Sequence, residues 1–288
     1  MPAHDPALAA YLDSLRLRGL AATTIYDRGC ALDRMTAALG TPLASATPAD
    51  LLGWRRSLEY LSPGSVGTYV AHARAFYAWA QSAGLCDASP AASLPVPRLG
   101  RRIPRPISED DLMCALDSAP RRIRPWLVLA AWCGLRAKEI ALLRTGCIQY
   151  NAAPAVLLVA ADATKGLTER TVPLSSFVIA EITLAGLPGS GYAFRRGDGQ
   201  PGPNTPNQVS HLANRHLHRT GIAATLHQLR HRFATAAYRA SRDIRTVQEM
   251  MGHASPETTA GYAAYDRPQA LAAVEAIPAP RRRLRAAQ

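Results

Sequence analysis

Three cap–proline pairs, Asp5-Pro6, Thr47-Pro48 and Ser62-Pro63, punctuate the first 97 residues and commit them to helices. A short polar side chain followed by proline is a helix start. The side chain accepts from the first free N–H groups, and proline at the first helical position has no N–H to leave unsatisfied. Gly19 ends the first of these helices and Gly84 the last. Thr23 is the expected cap of a further helix, with Ile25, Leu32, Met35 and Leu39 on one face. Leu51, Trp54, Leu58 and Leu61 recur at helical spacing after Thr47, and Val66, Tyr69, Val70, Ala73, Phe76 and Tyr77 after Ser62. Four amphipathic helices of this kind bury their apolar stripes against one another as a small bundle.

The rest of the chain alternates differently. Residues 95–106, PVPRLGRRIPRP, read as a proline-stiffened basic linker. Ser108 opens a new domain with an N-cap and three acidic residues in the first turn. The apolar stretch from Trp126 to Cys133 predicts a buried helix ended by Gly134. Residues 155–160 and 170–174 predict a β-hairpin, with Lys165 in or beside its turn, and residues 186–207 read as a long loop. Thr225 and Gln228 have capping-box form, residues 243–251 predict a helix closed by Gly252, and Ser255-Pro256 opens another. The expected fold is mainly α: an N-terminal helical bundle over 1–97, a basic linker over 98–105, and an α+β domain with a small β-sheet over 106–288, ending in a basic tail.

Charge follows this division. Residues 1–97 hold seven arginines and seven acidic residues, whereas 98–288 hold 26 basic and 14 acidic residues and so carry the whole net charge of +12. Arg98, Arg101, Arg102 and Arg105 concentrate it in the linker, and Arg281, Arg282, Arg283 and Arg285 in the tail. Such a balance points to a polyanionic partner, which the linker arginines are placed to meet. A purely mechanical linker is the alternative. No signal-peptide pattern is present, and the longest apolar run, Trp126–Leu135, is too short to span a bilayer. Five cysteines without a C-x-x-C indicate neither zinc nor a disulfide framework, and read as buried reduced thiols of a cytoplasmic protein. No metal, nucleotide or other cofactor is expected.

The chemistry-bearing residues cluster in four places. Arg136 follows the Gly134 break, in what reads as the first turn of a new helix, with Glu139 three residues on to orient it. His227 and Arg230 share one face near the start of the helix opened at Thr225, while His231 and Arg232 are expected to point elsewhere. His253 lies in the turn after Gly252, and Tyr262 about two turns into the next helix, with Tyr265 as its rival. Guanidinium forks, imidazoles and a phenol are what phosphoryl transfer to a hydroxyl nucleophile needs. Lysine is scarce: of 33 basic residues only Lys138 and Lys165 are lysine. A lysine retained at 165 suggests an ammonium that must release a proton, which arginine does not do. Lys138 reads as a surface residue. For residues 243–265 a helix-turn-helix that reads DNA without cutting it is an alternative that periodicity does not exclude.

In their order and spacing these residues resemble the tyrosine recombinases, the family of phage integrases and Xer-type resolvases. The resembling pattern is GLR…E at Arg136, TKG…R.VPL at Lys165, H-x-x-R at His227 and Arg230, GH-x-S at His253, and a tyrosine nine residues on at Tyr262. The resemblance implies a core-binding bundle and a catalytic domain that close on duplex DNA. It also implies a site-specific recombinase working through a 3′-phosphotyrosyl intermediate, in integration, excision or replicon resolution. In that mechanism His227 is the candidate base, Arg136, Arg230 and His253 stabilise the pentacoordinate phosphate, and Lys165 protonates the leaving 5′ oxygen. The family further implies a homo-tetramer on DNA with a Holliday junction, weakly associated or monomeric when free, with a related recombinase or a DNA-bending protein as a compatible partner. It implies a helix at 271–277 that docks into a neighbour, and action in the cytoplasm on the nucleoid. A type IB topoisomerase-like relaxing enzyme and a non-catalytic DNA-binding protein are the other readings.

Overall fold

The computed structural model describes residues 5–98, 106–164 and 169–252. The chain divides into two compact units, Met1–Arg101 and Arg102–Gln288. Among the described residues no helix is long and apolar enough to cross a membrane.

The first unit is built from α1 (Pro6–Leu17), α2 (Ala22–Leu39), α3 (Pro48–Ser57) and α4 (Pro63–Ser82). Each cap–proline pair starts its helix as expected. Asp5 accepts from the N–H groups of Ala7 and Leu8, Thr47 forms a reciprocal box with Asp50, and Ser62 accepts from Ser65 N–H. Thr23, by contrast, caps nothing: α2 begins one residue before it, with Ala21 at the N-cap and no side-chain bond. Leu8, Tyr11, Leu15, Leu32, Met35, Leu51, Val70 and Phe76 fill the core between the helices. A polar clasp fastens it: the second oxygen of Asp5 accepts from Leu43 N–H at 2.6 Å, and the Tyr77 hydroxyl donates to the Leu43 carbonyl at 2.8 Å. Both backbone groups of Leu43 are thereby satisfied away from water, as burial requires.

The second unit carries α5 (Glu109–Asp117), α6 (Arg124–Cys133), α7 (Ala137–Leu142), β1 (Ile148–Gln149), β2 (Val156–Val159), β3 (Arg170–Pro173), α8 (Ser176–Ala185), α9 (Pro206–Arg219), α10 (Leu226–Ser241) and α11 (Ile244–Met251). α6 is its centre. Residues from Trp126 to Ala131 are wholly buried, because α8 and α10 pack against it. A helix apolar on every side has no solvent face to offer. The predicted hairpin is β2–β3, antiparallel with Leu157 opposite Val172 and Val159 opposite Arg170, and β1 adds a third antiparallel strand. The segment read as a loop over 186–207 yields its last two residues to α9, since Thr205-Pro206 is another cap–proline pair, with Gln208 completing the box. All five cysteines are free, but only Cys133 is buried, and burial pushes its thiol up to about 12. The expectation of buried thiols therefore holds fully for one position; Cys30, Cys86 and Cys147 are half-buried and Cys114 is exposed.

Gly134 connects α6 to the segment that enters α7, with φ at +64°. A Cβ there would lie 2.4 Å from the Phe233 ring and 3.0 Å from the Met251 sulfur. Gly134→Ala is therefore expected to destabilise the fold by about 2–4 kcal/mol, through left-handed backbone strain and overpacking together. Urea denaturation measures this directly, and an unchanged midpoint would show that the α6–α10–α11 contact is slack.

Candidate active site

The site is organised by one carboxylate. Glu139, in the first turn of α7, is 1% exposed. One oxygen accepts from Arg136 N–H at 2.7 Å and the other from the Arg136 guanidinium at 2.8 Å. Arg170, on β3, approaches both oxygens as a fork, at 2.9 and 2.8 Å. Arg230, one turn into α10, brings a third guanidinium to 3.6 Å. Arg136 itself is the N-cap of α7, not part of its first turn as the sequence suggested. The left-handed Gly134 ends α6, and the chain enters α7 in extended geometry at Arg136, where Glu139 caps its N–H.

The same three arginines also close the C-terminal end of α11. Arg170 Nε donates to Met250 O at 2.7 Å, Arg230 donates to Met251 O at 2.6 Å, and Arg136 donates to Gly252 O at 3.3 Å. Arg230 donates as well to the Gly134 carbonyl. The last carbonyls of a helix lack partners within the helix and carry its negative dipole end, so guanidiniums suit them in both geometry and charge. Gly252, in left-handed conformation, is the helix C-cap, and the next residue in the chain is His253.

Burial alone would raise the Glu139 carboxyl. The hydrogen bonds and charge of Arg170, the charge of Arg230 and the Arg136 N–H overcome that and hold it at about 2. Glu139 is thus an anion at every working pH. Three guanidiniums with one carboxylate carry a formal sum of two positive charges, the sign that suits a phosphate.

His227 lies in the first turn of α10, with Arg230 three residues on. His227 is exposed, yet partial desolvation of its ring, then the charges of Arg230 and Arg136, lower its pKa below the ordinary 6.5. Its imidazole is therefore neutral at pH 7 and able to accept a proton. His231 does not point elsewhere: its ring meets that of His227 edge to face, with centroids 4.4 Å apart. The two are four residues apart on one helix and share a face. Burial, then His227 and Arg230, take His231 down to about 4. Arg232 does turn away, to Glu109 and over the Trp132 ring.

Arg136, His227 and Arg230 are therefore brought together. Lys165, His253 and Tyr262, and the rival Tyr265, lie outside the described residues. So do Arg101, Arg102 and Arg105 of the linker, while Arg98 is exposed. Arg170, the arginine of the TKG…R.VPL pattern, is the residue to which sequence reasoning gave no role. Its signal was alternation: Arg170 shares the inner face of β3 with Val172, while Thr171 and Pro173 face outward. A charged residue in register with an apolar face calls for a buried partner.

Removing that partner should be severe. Glu139→Ala leaves the Arg170 and Arg230 guanidiniums buried without their carboxylate, and is expected to cost about 3–5 kcal/mol of stability by denaturant melting. A pH series tests the same ion pairs. A carboxyl depressed on folding stabilises fully above its unfolded pKa of roughly 4.3. That contribution should vanish as pH falls towards about 2 and be missing from Glu139→Gln. Equal stability of parent and variants would show that the arginines are held by other means.

Known proteins resemble this chain over both units. The sequence pattern of the Phage integrase family matches residues 107–268. Tyrosine recombinase XerC of Rhodospirillum centenum is 32% identical over 221 residues, 72% of this chain and 63% of that protein. Tyrosine recombinase XerD of Pseudomonas putida is 29% identical over 290 residues, 91% of this chain and 94% of that protein. In fold, the chain is similar to a lambda integrase(75-356) dimer bound to a COC′ core site, with a TM-score of 0.74, 16% identity, and coverage of 89% of this chain and 93% of that one. It is also similar to the Tn1549 transposon integrase in complex with circular intermediate DNA, with a TM-score of 0.71, 17% identity, and coverage of 93% and 98%. With the family pattern spanning more than half of its length, the chain belongs to the phage integrase family, the tyrosine recombinases.

Proposed function

We propose that the chain is a site-specific DNA recombinase that cleaves and rejoins duplex DNA through Tyr262. The observation that carries this reading is the Glu139-centred arginine cluster, built around the carbonyls that lead directly into the GH-x-S segment, in a chain of this family. The recombinases and integrases among its relatives favour this reading over a relaxing enzyme or a binding-only protein.

The steps follow from the groups. Neutral His227 takes the Tyr262 phenol proton, and the phenolate oxygen attacks the scissile phosphorus. Arg136 and Arg230, with His253, stabilise the charge on the non-bridging oxygens as the phosphorus becomes five-coordinate. The bond to the 5′ oxygen breaks, and Lys165 gives that oxygen its proton. The products are a 3′-phosphotyrosyl ester and a free 5′ hydroxyl. The ester conserves the phosphodiester bond energy, and attack by a 5′ hydroxyl from another strand reverses the step and completes transfer. Four such chains act together on two DNA sites through a Holliday junction and associate weakly when free. One of the fold neighbours is a lambda integrase tetramer bound to a Holliday junction, which supports this arrangement. Arg98, Arg101, Arg102 and Arg105 meet phosphates along the linker, and the reaction takes place on the nucleoid, in the cytoplasm.

The cognate site is first recovered by selecting bound duplexes from a random-sequence pool, then rebuilt with a nick so that the cleaved end diffuses away. Tyr262→Phe should abolish the detergent-resistant protein–DNA adduct and keep binding, and Tyr265→Phe should form the adduct normally. Arg136→Ala and Arg230→Ala should each slow adduct formation by about 100-fold or more. An adduct that survives in Tyr262→Phe moves the nucleophile elsewhere.

The state of His227 is a separate test. Cleavage should fall only as pH drops below 6.5, when the imidazole gains a proton. Removing a neighbouring positive charge, as in Arg136→Ala, should raise the His227 pKa in an NMR titration of the free protein. Titration above pH 7 in the parent would leave His227 mostly protonated at neutral pH and exclude it as a base already poised in the free protein.

A further inference from the structure

Lys138 sits in α7 between the site residues Arg136 and Glu139, and the sequence offered it no role. Its ammonium donates to the main-chain carbonyl of Asp162 at 2.9 Å and approaches that of Thr164 at 3.4 Å. These carbonyls belong to the exit from β2. The strand ends at Val159, and Ala161–Ala163 forms a single 3-10 turn. Thr164 closes that turn by donating both its N–H and its hydroxyl to the Ala161 carbonyl, at 3.1 and 3.0 Å. Ala163 and Thr164 are buried, at 5% and 6% exposure. One turn supplies too few N–H groups for its own later carbonyls, and the exposed Lys138 reaches in from α7 to serve them. An ammonium offers three rotatable donors on one compact centre and can serve two carbonyls two residues apart.

We propose that Lys138 is a positioning residue for the cleavage step. By holding the Asp162 and Thr164 carbonyls it fixes the point from which the chain enters Lys165, the next residue. The inference rests on the reading of Lys165 as the acid that protonates the leaving 5′ oxygen. On the far side of the turn, Arg170 fixes where the chain re-enters β3, through Glu139 and Met250 O. Both stems of the segment bearing Lys165 are thus tied to the residues that gather the arginines. The two lysines of the chain then serve one purpose, the second acting through the backbone beside the first.

The test uses the full-length protein and the selected nicked duplex, made with either the ordinary 5′ oxygen or sulfur at the bridging position. Sulfur leaves without needing a proton. Lys138→Met should cleave the oxygen substrate about 10-fold to 100-fold more slowly, the scale of a modest misplacement of a reacting group. The sulfur substrate should restore most of that rate. Lys138→Met combined with Lys165→Met should be no slower than Lys165→Met alone, and the thermal midpoint of Lys138→Met should stay near that of the parent. Lys138→Arg, which keeps charge and donors, should fall between parent and Lys138→Met. Parent-like cleavage by Lys138→Met, an equal defect on both substrates, or losses that multiply in the double variant would overturn the proposal. So would a salt dependence of binding shallower by about 0.9, which would make Lys138 a phosphate contact. A Lys165→Met enzyme that sulfur does not rescue would remove Lys165 as the acid, a distinct result that takes this inference with it.

Discussion

The second unit depends on a carboxylate that has been taken out of water. A buried carboxylate is tolerable only when its lone pairs are filled by donors of opposite charge, and Glu139 receives two from Arg136 and two from Arg170, with Arg230 alongside. Those donors arrive from α7, β3 and α10, which are far apart in the chain. Burying one acid therefore fixes the relative places of three elements. Hydrophobic packing around α6 brings these elements near one another, but it is non-directional. The ion pairs add direction.

The arginines are shared between that carboxylate and the carbonyl end of α11. This sharing means that the guanidiniums are oriented before any phosphate arrives, so little reorganisation is needed when charge develops on a bound group. Preorganised donors of this kind stabilise a charged transition state more effectively than flexible ones. It also means that the segment after Gly252 departs from a fixed point, set by residues that themselves belong to the site.

The sequence exposed most of this, and the parts it concealed share a cause. Cap–proline pairs gave away α1, α3 and α4, because a polar side chain before proline is a local signal needing no tertiary context. Thr205-Pro206 was the same signal, lost within a glycine- and proline-rich stretch. The apolar face of α2, with Ile25, Leu32 and Met35, was legible from spacing, but its first residue was not, because its N-cap is Ala21, which makes no side-chain cap. In the site, Arg136, His227 and Arg230 were legible from spacing. Arg170 was not, since its partner lies 31 positions away in sequence and the pairing exists only in the fold. His231 was not legible as part of the site, since a four-residue separation from His227 becomes a contact only when both rings turn to one side of α10.

Strands as short as β2 and β3 have little apolar pattern with which to choose their register. Sliding β3 by one residue past β2 would exchange its two faces. Arg170 and Val172 would then turn together to the outer face, Glu139 would lose its fork, and a threonine would take the place of Arg170 against a buried acid. The ion pair thus acts as an index mark for the sheet, allowing a single alignment. One buried ion pair both aligns the sheet and sets the position of the arginine that the sheet delivers.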